Sequence, residues 1–325
     1  MNIGLYFDLR NPTQWRRDPH SLYASTLELC EEVDGRGVHS LWFTEHHLFE
    51  DGYLPQPLTY IAAVAARTKR ARLGTSIVLA PLHSAVTMAE QCAVVDIISN
   101  GRLELGLGAG YLIQEFELYG VVESFEQRGK VTVERALEIR RLCAEGGITP
   151  VPIQSPLPVS VAASFPSTAR RAGRAGVGLQ RIDRHLIEPY LEGLVEGGHG
   201  VEAGWMSGPA NVFLSDDPER DWPVVREHVA YQWDSYARLR AARSDEVFTP
   251  IDPDEWRERG LSKGAMAGFV LATPDEAATL IRTRFSGPPT RTVYLWGTLP
   301  GLPDELARRN VELICDALVP ALADA

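Results

Sequence analysis

Short apolar segments that alternate with helical stripes constrain this chain more than any other feature. Ile3–Asp8, Val38–Thr44, Leu73–Leu79, Arg102–Leu107, Pro158–Ala163, Val177–Gln180, Asn211–Ser215 and Thr292–Trp296 read as strands. Between the first two, Leu22, Thr26, Leu27, Cys30 and Val33 recur at helical spacing until Gly35 and Gly37 stop the run. Further stripes follow at Leu58–Ala65, Ala85–Val95, Gln127–Ala144, Ser167–Ala175, Trp222–Tyr236 and Leu306–Leu318. The strand segments are apolar throughout rather than alternating, as parallel strands covered on both faces require. Eight such units in 325 residues predict a (β/α)8 TIM barrel with insertions, one domain over 1–325. The polar stretch Ser244–Lys263, with Pro250 and Pro253, reads as an inserted loop, part of an inserted loop and helical region at about 201–265.

At 45% hydrophobic residues the chain can bury a large core. A net charge of −11 with no basic run excludes nucleic acid and anionic membrane as partners, because nothing is there to neutralise phosphates. No run approaches the roughly 18 apolar residues of a membrane span, and MNIGLYFDLR has no basic-then-apolar leader. Cys30, Cys92, Cys143 and Cys315 are far apart with no CxxC pair, so they read as small hydrophobes in a reducing compartment, with no metal site. These features together predict a cytoplasmic protein.

Charge placed at the end of a parallel strand is where α/β enzymes keep their chemistry. Glu45-His46-His47 follows the second strand at once. This is not a helical zinc motif, whose ligands need the i, i+4 offset. Neighbours on a strand face opposite ways, so one histidine can look into the barrel mouth while the other packs sideways. A polar cap satisfied by loop backbone is the competing reading. The fourth strand runs into Gly106-Leu107-Gly108-Ala109-Gly110-Tyr111, which lacks the third glycine position of a dinucleotide fingerprint. Backbone without Cβ atoms lets a planar ring or phosphate approach; a tight turn is the alternative. Ser164-Phe165-Pro166-Ser167-Thr168 leaves a strand and opens a helix, which makes either an anion cradle or an ordinary N-cap.

Taken together, IGLYFD, SLWFTEHH, LGTSIVLAP, DIISNGRLELGLGAGY with EFELYG, VSVAASFPSTARRAGRAG and VYLWGTLPGL resemble the bacterial luciferase-like flavin-dependent monooxygenases, in that family's order and over nearly the whole chain. The resemblance implies a (β/α)8 barrel. It places His46 beside the flavin's reacting edge, with Glu45 as an orienting partner, and matches Ser76-Ile77 to a non-prolyl cis peptide under the ring. It further implies that Phe7, Gly108, Ala109 and Gly110 lie along the flavin. Arg128, Ser164, Phe165, Ser167 and Thr168 would hold the phosphate end. Trp15, Tyr53, Tyr111 and Trp296 would offer apolar surface to substrate. The luciferase α subunit has a reactive cysteine where this chain has Gly108, and a phosphate-binding arginine where it has Ala109. The resemblance therefore does not extend to light emission, and it leaves Arg128 to carry more of the charge.

The activity implied is that of a two-component monooxygenase: reduced FMN from a separate flavin reductase reacts with molecular oxygen to give a C4a-peroxyflavin, which oxygenates a small-molecule substrate. The alternatives are a deazaflavin-dependent hydride-transfer oxidoreductase and, in another class, a flavin-binding protein without turnover. A homodimer through the helices after the second and third strands is also implied.

Overall fold

The computed structural model describes residues 1–241, 247–259 and 268–323. Among these, eight parallel strands close into a barrel: β1 (Asn2–Phe7), β2 (Ser40–Phe43), β3 (Arg72–Thr75), β4 (Leu103–Gly108), β5 (Val159–Val161), β6 (Gly178–Leu179), β7 (Met206–Pro209) and β8 (Thr290–Trp296). Each pairs with the next, and β8 returns to β1 with Gly4 opposite Tyr294. The (β/α)8 expectation holds.

Strand alternation sorts the side chains into two cores. Leu5, Leu41, Leu73, Leu105, Val161 and Val293 join the apolar layer that also takes in Cys30, Ile61, Cys92 and Ile139 from the surrounding helices. The opposite face fills the barrel with Trp42 and Tyr294, stacked at 5.1 Å between ring centroids. Gly74 is required here, since a Cβ at that position would lie 2.3 Å from the Trp42 ring. All four cysteines are free and buried, as expected. No helix among the described residues is long and apolar enough to cross a membrane.

Two sequence expectations need correction. The seventh barrel strand is Met206–Pro209, not Asn211–Ser215; Val212–Leu214 pairs instead with Val270–Ala272 in a separate two-stranded sheet. Met-Ser-Gly-Pro carries turn residues and little strand propensity, so pattern alone pointed to the more apolar segment beside it. The expected strand Leu73–Leu79 breaks at a cis Ser76–Ile77 peptide and resumes as Val78–Leu79 against β4. The region expected as an insertion at 201–265 contains β7, the helix Pro218–Ala241 and the short helix Pro253–Arg259. Residues 242–246 and 260–267 of that expectation lie outside the described residues. Helices Ile113–Tyr119, Arg184–Glu196 and Pro274–Phe285 were not expected.

Candidate active site

The chain leaving β2 alternates as a strand should. His46 turns into a ring of aromatic side chains, with centroids of Tyr53 at 4.9 Å, Phe49 at 5.2 Å, Tyr111 at 5.4 Å and Tyr236 at 5.9 Å. His47 turns the other way, onto Tyr119. Glu115, fully buried on the Ile113–Tyr119 helix, fixes this arrangement. Its Oε1 lies 3.0 Å from His46 Nδ1 and accepts the His47 backbone N–H at 2.9 Å. With Nδ1 committed to Glu115, Nε2 is the ring nitrogen left for a ligand.

Glu45 is an orienting group whose imidazole partners are His47 and His83. Its Oε1 receives His47 Nε2 at 2.8 Å and His83 Nε2 at 2.7 Å, and its Oε2 accepts the Leu79 N–H at 2.7 Å. Burial alone would raise the pKa of this carboxyl; the hydrogen bonds from His47, His83 and Leu79 outweigh it and bring it down to about 2. Glu45 thus orients His47 and ties the end of β2 to the chain beyond β3, while the partner of His46 is Glu115.

The glycine turn meets this corner. The Glu45 N–H donates to the Ile77 carbonyl at 3.0 Å, and the Ile77 side chain lies across Gly108. A Cβ on Gly108 would sit 2.2 Å from Ile77 Cδ1, so a larger residue there requires the Ile77 side chain to move. Gly110, at φ +70°, then swings Tyr111 against His46. Ser76, Ile77, Ala109 and Gly110 are all half-buried, on a platform beside the histidine.

Around the rim, the helix Pro166–Arg174 starts with no side-chain cap, which removes the ordinary N-cap reading of its serines. Ser164, Phe165 and Ser167 are exposed and Thr168 is buried. Thr168 Oγ1 lies 3.4 Å from where a Cβ on Gly129 would be, so the start of the Arg128–Ala144 helix meets this loop. Arg128 packs over the Phe125 ring and donates to the Phe125 carbonyl at 2.7 Å. Arg181 donates to Ser164 Oγ at 3.4 Å while its Nε holds Asp183 at 2.7 Å. Hydroxyls, an uncapped helix start and two guanidiniums form a donor set that fits a phosphate.

Several expected residues sit elsewhere. Phe7 is 1% exposed and stacks on Phe43 in the outer core; its neighbour Tyr6 faces inward, against Tyr294 and Trp296. Trp15 packs on His228 and Tyr231 and fills the space beside Gly301, clasping loops at the periphery. Trp296 is buried behind Tyr6 and donates to Asn211. Tyr53 and Tyr111 do reach His46. Sequence reading missed Glu115, Arg181 and Tyr236. Arg181 carried a usable signal, a charge just past a barrel strand. Tyr236 read only as helix stripe, and nothing in its spacing ties Glu115 to His46.

A closed parallel barrel with titratable groups gathered where its strands end defines an enzyme of the (β/α)8 class. Residues 1–290 match the family model described as luciferase-like monooxygenase, and the chain belongs to that family of oxidoreductases. It is 32% identical over 189 residues to the oxygenase component of flavin-dependent trigonelline monooxygenase from Acinetobacter baylyi, a match spanning 54% of this chain and 52% of that relative. It is 27% identical over 280 residues to an F420-dependent glucose-6-phosphate dehydrogenase from Amycolatopsis mediterranei, covering 79% and 83% of the two chains. A crystal structure of a monooxygenase from Streptomyces bottropensis superposes with a TM-score of 0.75 at 27% identity, over 98% of this chain and 99% of that one.

Proposed function

We propose that this protein is the oxygenase of a two-component flavin system, acting with reduced FMN, molecular oxygen and a small organic substrate. One observation carries the reading: the His46–Glu115 pair, the Ser76/Gly108 platform and the Ser164–Thr168 donor set share one rim of the barrel. Ser76, Ile77, Gly108, Ala109 and Gly110 would hold the ring. Arg128, Ser164, Ser167, Thr168 and Arg181 would hold the phosphate, with Phe165 beside them. Reduced FMN supplies the electrons for oxygen activation; the protein positions it and excludes water. His46, held through Nδ1, keeps Nε2 to give or take a proton at the reacting centre. Tyr53, Tyr111 and Tyr236 offer substrate an aromatic wall.

The reduced flavin would come from a separate reductase. The helix Ala85–Ser99 exposes Val86, Val94, Ile97 and Ile98, which supports a homodimer through this helix and its neighbour Pro57–Arg67. Four free buried cysteines suit the reducing cytoplasm. A deazaflavin-dependent hydride transfer is the second reading, favoured by the Amycolatopsis relative and its longer match.

Reconstitution separates the two. Purified protein given reduced FMN is expected to consume oxygen; tight binding of the deazaflavin without oxygen uptake would instead support hydride transfer. Binding of FMN with no turnover, and no change on His46→Ala, would favour a flavin-binding protein without turnover.

A further inference from the structure

Four side chains inside the barrel form a hydrogen-bond chain whose direction is set by the orientation of the Gln180 amide. Ser160 Oγ donates to Gln180 Oε1 at 2.8 Å, and Gln180 Nε2 donates to the Tyr294 hydroxyl at 3.2 Å. The Tyr294 and Ser76 hydroxyls are 2.6 Å apart. Ser160, Gln180 and Tyr294 are all buried. An amide NH2 only donates, so Tyr294 receives from Gln180 and must place its own proton elsewhere. Burial pushes the Tyr294 hydroxyl up to about 12, so that proton stays on. A buried O–H needs an acceptor, and Ser76 Oγ is the one in reach. Ser76 therefore accepts from Tyr294, and its own proton is left to point outward from a half-buried position on the platform.

The geometry assigns to the Ser76 hydroxyl the role of a pre-oriented hydrogen-bond donor to a ring-nitrogen or carbonyl acceptor of the flavin, with Gln180 as the positioning residue that sets its polarity. This rests on the FMN reading above. The direction costs nothing at the moment of binding, because buried groups hold it before the ligand arrives. A serine free to rotate would serve donor and acceptor partners alike; this one is committed.

Oxidised FMN is the probe, with its dissociation constant and the visible spectrum of the bound form as readouts. Ser76→Ala is expected to weaken binding about 2- to 12-fold, the range of one neutral hydrogen bond, and to shift the flavin band. Gln180→Glu replaces the amide donor with an acceptor, so at pH 8 Tyr294 turns toward residue 180 and Ser76 turns toward Tyr294. It should match Ser76→Ala, recover toward wild type as the pH falls and the new carboxyl gains a proton, and add nothing in the double variant. Wild-type affinity and spectrum in Ser76→Ala overturns the assignment, and that variant suffices if Gln180→Glu does not fold. Losses that multiply in the double variant overturn it too. If the wild-type protein does not bind FMN, the reading of the site falls and this inference falls with it.

Discussion

The two sides of the rim are built differently. At the ends of β2, β3 and β4, the charged groups around His46 are held by protein: Glu115 serves His46 and His47, Glu45 serves His47 and His83, and Ile77 covers Gly108. Past β5 and β6 the chain presents exposed Ser164, Phe165 and Ser167 and a helix start without a side-chain cap. A group that must do chemistry is fixed in advance, whereas a group that must grip an anion keeps its donors open until the anion comes.

Perturbing the fixed side should reduce turnover most. His46→Ala is expected to lower kcat about 10²- to 10⁴-fold with FMN affinity nearly unchanged, measured by oxygen-coupled turnover and a separate FMN titration. Equal losses in binding and turnover would erase the distinction between the two sides. Glu115→Gln keeps the shape and removes the charge behind Nδ1; about a 10- to 100-fold fall in kcat is expected, with the pH profile displaced. A profile identical to wild type would show that Glu115 only packs.

The open side should answer through binding. Arg128→Ala is expected to raise the FMN dissociation constant about 10- to 100-fold, the loss of a charge-assisted contact, with kcat at saturation retained. Arg181→Ala should fall short of that, because Asp183 already draws on its guanidinium.

Acid stability sharpens the comparison further. Glu45 has a folded pKa near 2 against an ordinary 4.5. Its contribution, on the order of 3 kcal/mol, is therefore present above pH 4.5 and lost as the pH falls toward 2. Glu45→Gln should flatten that limb in denaturant titrations between pH 5 and 3. A limb as steep as wild type would mean that other carboxyls set it. Phe165→Ala, 67% exposed, should change stability by less than about 0.5 kcal/mol.

The same division governs what could be read from sequence. On the β1–β4 side, strands of four to six residues carry enough apolar pattern to be found, and SLWFTEHH puts His46 just past the end of β2. On the other side β5 and β6 have three and two residues, and β7 is Met-Ser-Gly-Pro, so register went to the apolar segment beside it. That the Ser164–Thr168 loop leaves a strand and opens a helix was legible. Arg181, which donates to Ser164 from past the next strand, carried the signal of a charge at a strand end but was not read from it. Phe7 lies one residue from the inward-facing Tyr6, and on a strand one residue reverses the face. Glu115 reaches His46 across 69 positions, a distance no local pattern encodes.

A crystal structure with FMN bound tests the account most directly. It should show the phosphate against Ser164, Ser167, Thr168 and Arg128 and the ring on Ser76, Ile77 and Gly108 with His46 at its edge. Flavin bound away from this rim, or no binding at millimolar FMN, would contradict it.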